Sequence, residues 1–187
     1  MVHGMPLERA PSAPAGGARS RSARDPHLNR EEIIERLRQA PRRIAAATRG
    51  VSKRILRAVP APNEWSLVDI LAHLRASADV WGGAIEQILA AKRPTFRAIS
   101  PFTWLQHTNY RGLQFAQTLL AYRRQRTALV KLLESLPAHA WDRTAFVTGF
   151  GAPAERTLTW YALGIAGHEQ SHLKHIERVM RARRPAR

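Results

Sequence analysis

The chain has 187 residues, 44% of them hydrophobic, which is enough for one sizeable buried core and favours a single domain with tails. It contains no cysteine, which excludes disulfides, thiolate metal ligands and a cysteine nucleophile, so any metal must be held by His, Asp or Glu. The net charge of +16 raises nucleic acid or an acidic membrane surface as partners. Its arginines, however, are spread over the N-terminal tail, the first helix, the third helix (Arg123, Arg124, Arg126) and the C-terminal end. Solvated helix faces account for that spread, so weak salt-sensitive binding is expected and a specific nucleic-acid role is not.

Residues 1–27 are rich in Ala, Pro, Gly, Ser and Arg and carry almost no large apolar side chains, so they are predicted to be a disordered basic tail. No apolar run approaches the roughly 18 residues of a membrane span and the N-terminus has no apolar secretory region, so a soluble cytoplasmic protein is expected.

The folded domain is predicted over 28–181, with 182–187 a short basic tail. Asn29 with Glu32 three residues on has the pattern of a capping box. Ile33, Ile34, Leu37, Ile44, Val51, Ile55, Leu56 and Val59 then follow at helical spacing, with a kink or restart expected at Pro41 and an end at Pro60. A second helix is predicted from Ser66 to about Ala91, with Asp69 completing another box and His73 lying in its apolar stripe. Residues 92–109 carry Pro94 and Pro101 without a clear period and read as a long crossover loop. Tyr110 to Leu136 reads as a third helix, with Tyr122 and Leu129 in its stripe. Residues 138–156 read as an irregular connection holding at most a short extended piece, and a fourth helix runs from about Arg156 to Arg181. Four long helices without a convincing strand period define an all-α four-helix bundle, and the long crossover lets the second and third helices run parallel.

The fourth helix carries the most informative segment, Gly167-His168-Glu169-Gln170-Ser171-His172-Leu173-Lys174-His175. His168 and His172 stand at i and i+4 and share a helix face, on the seam that also holds Leu158, Tyr161, Ile165, His175 and Val179. Inward neutral imidazoles each bring a donor and an acceptor that need partners in an apolar core, and a divalent metal satisfies the acceptor nitrogens. If His73 lies at the same level, a three-histidine site results with one open coordination position, suited to Zn, Ni or Fe. Whether the levels coincide depends on packing.

Read literally, His168 to His172 also spells the H-E-x-x-H pattern of zinc proteases. The metzincin extension would place Gly at 175 and His at 178, where the chain has His175 and Arg178, and no further helix is expected to bring a carboxylate ligand. Glu169 projects about 100° from His168 and is a weak candidate for a catalytic base. Proteolysis is therefore not the expected activity. Trp65, Trp81, Trp104, His107, Tyr110, Trp160 and His175 are candidates for lining a pocket, with ordinary packing as the competing reading for each tryptophan.

From Glu31 to Met180 the chain resembles the DinB-like (DinB/YfiT) superfamily of metal-binding four-helix bundles. The resemblance is carried by Glu64-Trp65-Ser66-Leu67-Val68-Asp69-Ile70-Leu71-Ala72-His73-Leu74 and by Arg156-Thr157-Leu158-Thr159-Trp160-Tyr161 leading into His168, His172 and Leu173. It implies up-down-down-up topology and metal ligands at His73, His168 and His172, with His175 as a competing fourth candidate in a supporting or pocket role. It further implies a small-molecule substrate, a homodimer, and activities such as transfer or isomerisation with a low-molecular-weight thiol, or hydrolysis. A non-catalytic metal-binding or structural bundle is the alternative, because the fold does not fix the chemistry.

Overall fold

Asn29 opens the first helix as its sequence requires. Its side chain accepts from the Glu32 amide at 2.9 Å while Glu32 accepts from the Asn29 amide at 2.8 Å, satisfying two amides that the first turn leaves orphaned. The computed structural model describes residues 28–149 and 151–183, so the tails expected at 1–27 and, from 184 on, at the C-terminus lie outside the described residues.

Helix α1 (Arg30–Ala47) runs on through Pro41, whose ring is buried. The break comes instead at 48–52, where Gly50 takes φ +72°, a left-handed conformation open to glycine. A short helix α2 (Lys53–Arg57), capped by Ser52, follows. Helix α3 (Leu67–Ala90) begins at the expected Ser66–Asp69 box.

The crossover is more structured than its sequence indicates. It holds strand β1 (Thr95–Arg97), helix α4 (Pro101–Gln106) and a 3-10 turn at Tyr110–Gly112, so the third long helix, α5 (Phe115–Ser135), starts five residues later than expected. The connection after α5 is likewise ordered, as strands β2 (Thr144–Thr148) and β3 (Ala154–Thr157) leading into α6 (Leu158–Ala182). The sheet order is β1-β2-β3, with β1 parallel and β3 antiparallel to β2. Ala145 and Val147 of β2 face the core while Phe146 between them points outward.

The long helices pack as a square in which α1 and α3 each touch α5 and α6, leaving α5 and α6 on a diagonal. Their directions follow from two apolar clusters. One joins Ile33 and Leu37 of α1 to Ile85 and Ile88 of α3, Val130 and Leu133 of α5, Ile165 of α6 and the inward residues of β2. The other joins Ile44, Leu67, Ile70, Tyr122, Leu173 and Ile176. Helices α1 and α6 therefore run from the first cluster to the second, and α3 and α5 run back, which is up-down-down-up. Between the clusters lies a polar layer containing His73, Ser77, His168, Arg126 and Glu169. No helix among the described residues is long and apolar enough to cross a membrane.

Candidate metal centre

The polar layer is where the histidines meet. The Ser66–Asp69 box sets the start of α3, with Ser66 Oγ accepting from the Asp69 amide at 3.2 Å and donating to Asp69 Oδ2 at 2.6 Å, and this places His73 two turns into the helix. Arg111 pairs with the other Asp69 oxygen at 3.2 Å. On α6, Thr157 caps the start by accepting from the Trp160 amide at 3.0 Å, and His168 and His172 share a face three to four turns on.

His168 Nε2 lies 3.0 Å from His73 Nε2 and 3.1 Å from His172 Nε2, and the three ligand nitrogens lie within 4.8 Å of one another. One ring nitrogen cannot make a good hydrogen bond to both neighbours when each of the three has a single lone pair or a single proton to offer. Tetrahedral ligation at 2.0–2.1 Å separates neighbouring nitrogens by about 3.3 Å, close to the two shorter separations and within the 4.8 Å that bounds the third. The residues therefore fit a divalent metal. It is the only cluster of three such ligand groups among the described residues, and His175 is not in it.

Burial keeps these imidazoles neutral. It pushes His73 down to about 4, with Arg111 adding to the effect, and His172 down to about 3, with His73 and His175 adding. His168 is held well below the ordinary range, chiefly by burial and then by His172, His73 and Arg126. Near neutral pH all three lone pairs are free to ligate.

The Nδ1 atoms of His73, His168 and His172 are buried and find no protein hydrogen-bond partner. Metal-bound imidazoles are usually oriented by such a bond. Here tryptophan rings pack against the imidazoles. Trp65 packs edge-on to His73 at 4.9 Å between ring centres and lies parallel to His172 at 6.2 Å, while Trp81 meets His168 edge-on at 4.7 Å.

The other residues singled out from sequence are placed as follows. Trp104 Nε1 donates to Asp79 Oδ2 at 3.0 Å and the Tyr110 hydroxyl donates to the same oxygen at 2.8 Å, pinning the crossover to α3. His107 is exposed at the end of α4. Trp160 packs edge-on against Tyr161 with the Arg156 guanidinium over its ring. His175 sits one turn beyond His172 with its Nε2 buried, and burial and Arg178 hold it below its ordinary pKa against the opposing pull of Glu64.

Glu169 is 2% exposed, and its Oε1 accepts from both the Arg126 guanidinium and the Tyr122 hydroxyl of α5. Arg126, whose charge predicts a solvated face, is also 2% exposed. The signal was present in the sequence, because Arg126 falls four residues after Tyr122 and three before Leu129, inside the apolar stripe of α5.

The bundle and its convergent histidines define a class of helical proteins that carry a candidate metal centre between facing helices. A family model of the DinB superfamily matches residues 36–176, and the chain belongs to that superfamily. A solved structure, that of YfiT from Bacillus subtilis, matches with a TM-score of 0.71 at 18% identity, over 82% of this chain and 86% of that one, and shares the fold. YfiT is described as a probable metal-dependent hydrolase with an unusual four-helix bundle topology. No curated protein matches the chain.

Proposed function

We propose that the protein is a divalent-metal-dependent enzyme in which His73, His168 and His172 hold the ion and a small-molecule substrate approaches its remaining coordination position. The observation that carries this is the convergence of three imidazoles, buried at His73 and partly buried at His168 and His172, with Nε2 atoms at 3.0 and 3.1 Å. A Zn, Ni or Fe ion held there would supply Lewis acidity, lowering the pKa of a water or thiol toward neutral pH. Trp65 and Trp81 hold the imidazoles in place and keep solvent from their flanks. Glu169 is buried, with Oε1 held by Arg126 and Tyr122 of α5, so it is given a structural role here.

Two reactions fit. Hydrolysis is supported by the description of YfiT, which shares the fold. Transfer or isomerisation with a low-molecular-weight thiol is the second, and the absence of cysteine means that the thiol arrives with the substrate. A non-catalytic metal-binding bundle is the rival reading, favoured by the burial of His73 at 9% exposure. The test is a screen of the metal-loaded protein against esters and amides, and against thiols paired with electrophiles. Turnover that disappears with a chelator and in His172→Ala supports an enzyme. A protein that holds its metal but turns over no substrate of either class supports the rival.

A further inference from the structure

The core of the bundle contains a feature that stability alone does not explain. Among the described residues, Arg126 and Glu169 are the only charged side chains in the fully buried class, and they stand beside Tyr122, which is 0% exposed. They join α5 to α6, the two helices on the diagonal of the square, so the long arginine side chain reaches across the middle of the core. Replacing a buried pair of this kind by apolar residues of similar volume is commonly neutral or stabilising, because the desolvation cost offsets the attraction. What such a pair adds is direction.

We infer that Tyr122, Arg126 and Glu169 form a positioning device that fixes the rotation of α6 about its own axis, so that His168 and His172 face His73. The inference rests on the metal-centre reading above. Glu169 adjoins His168 in sequence and projects about 100° round the helix from it, so whatever holds the carboxylate also sets the direction of the imidazole. The apolar side chains of α6 on either side, Ile165 and Leu173, are non-directional and tolerate a small rotation by repacking. Ligands do not. With side chains reaching about 5–6 Å from the helix axis, a rotation of about 20° carries a ring nitrogen by about 2 Å. Metal ligation tolerates about 0.2 Å. Two hydrogen bonds converging on one carboxylate oxygen, from residues one turn apart on α5, supply the missing restraint. The His168 and His172 rings have no Nδ1 bond of their own to compensate if it is lost.

The experiment compares wild type with Arg126→Met/Glu169→Leu, which keeps the volume and removes the directional contacts. The readouts are Co2+ affinity by competition titration, the visible absorption spectrum of the Co2+ form, and the melting temperature of the metal-free protein. The expected result is a folded protein whose melting temperature falls by no more than the roughly 2–12 °C that the orphaned Tyr122 hydroxyl costs, with affinity lowered about 10- to 100-fold and an altered Co2+ spectrum. A folded double variant with wild-type spectrum and affinity overturns the inference, since the pair would then be structural ballast. If the double variant does not fold, Tyr122→Phe takes its place, which leaves the ion pair and its volume intact. A several-fold loss of affinity there supports the device, and an unchanged affinity and spectrum overturn it. Wild-type protein that leaves Co2+ with the spectrum of the free aqueous ion overturns the metal centre itself, and the inference with it.

Discussion

Arg126→Met alone should be far more damaging than removing both members of its pair. The substitution leaves Glu169, at 2% exposure, with the Tyr122 hydroxyl as its remaining partner on Oε1 and with Oε2 buried and unpartnered. Breaking a buried pair in this way costs about 3–5 kcal/mol. For a domain of this size, each kcal/mol moves the melting temperature by about 2–4 °C, so a fall of about 6–20 °C is expected. The loss should also depend on pH. Burial already raises the Glu169 pKa, while Arg126 and Tyr122 pull it down, so without Arg126 it rises further. A carboxyl whose folded pKa is raised contributes stability below its unfolded value of about 4.3 and loses it as pH rises through the folded value. The gap between wild type and variant therefore widens toward neutral pH and narrows toward acid. Urea unfolding followed by far-UV circular dichroism at several pH values measures this directly. A loss below about 1 kcal/mol at neutral pH, or a gap that does not change with pH, would mean that Glu169 is not left charged and buried by the substitution.

Three other expectations follow from particular contacts. The metal-free protein should lose stability as pH falls below about 6.5, because His73, His168 and His172 are all held below their unfolded pKa by burial. The share of His73, which titrates near 4 when folded, is about 3 kcal/mol, complete above the unfolded value, so His73→Leu should make the slope measured with a chelator present shallower, and parallel slopes would contradict this. Trp65→Ala should weaken Zn2+ binding about 10-fold in a competition titration, because Trp65 packs on both His73 and His172 where no Nδ1 bond holds the rings; unchanged affinity would show that it is only packing. Gly149→Ala should destabilise by at least about 1–2 kcal/mol in the same unfolding assay, since Gly149 has φ +81° and an added Cβ would lie 2.7 Å from Arg97 Cγ; an unaffected midpoint would mean that the β2 turn relaxes freely.

What could be read from the sequence was mostly local. The caps at Asn29 and Ser66 need only residues three apart, and both boxes form as written. The i and i+4 spacing of His168 and His172 likewise guarantees a shared face on any helix. A short extended piece within 138–156 is legible and is β2, but the three-stranded sheet is not, because three to five residues are too few for an alternation to stand out, and β2 shows its inward Ala145 and Val147 only once the sheet is seen against the core. Pro41 suggests a break that the helix does not make, while Gly50, whose left-handed conformation lies in the turn after α1, gives no periodic signal. Whether His73 and His168 share a level is a matter of how α3 slides against α6, which no spacing within either helix records. Arg126 was hidden by its charge, since an arginine in an apolar stripe is read as solvated until its buried partner is known.

Whether His73, His168 and His172 together hold one divalent ion is decided by X-ray absorption of the Zn2+-loaded protein, with metal content measured on the same sample after dialysis. The expected result is one ion per chain with three imidazole nitrogens at about 2.0–2.1 Å, and loss of that ion in His73→Ala. Protein that retains no stoichiometric ion, or an ion surrounded by oxygen alone, would contradict the account.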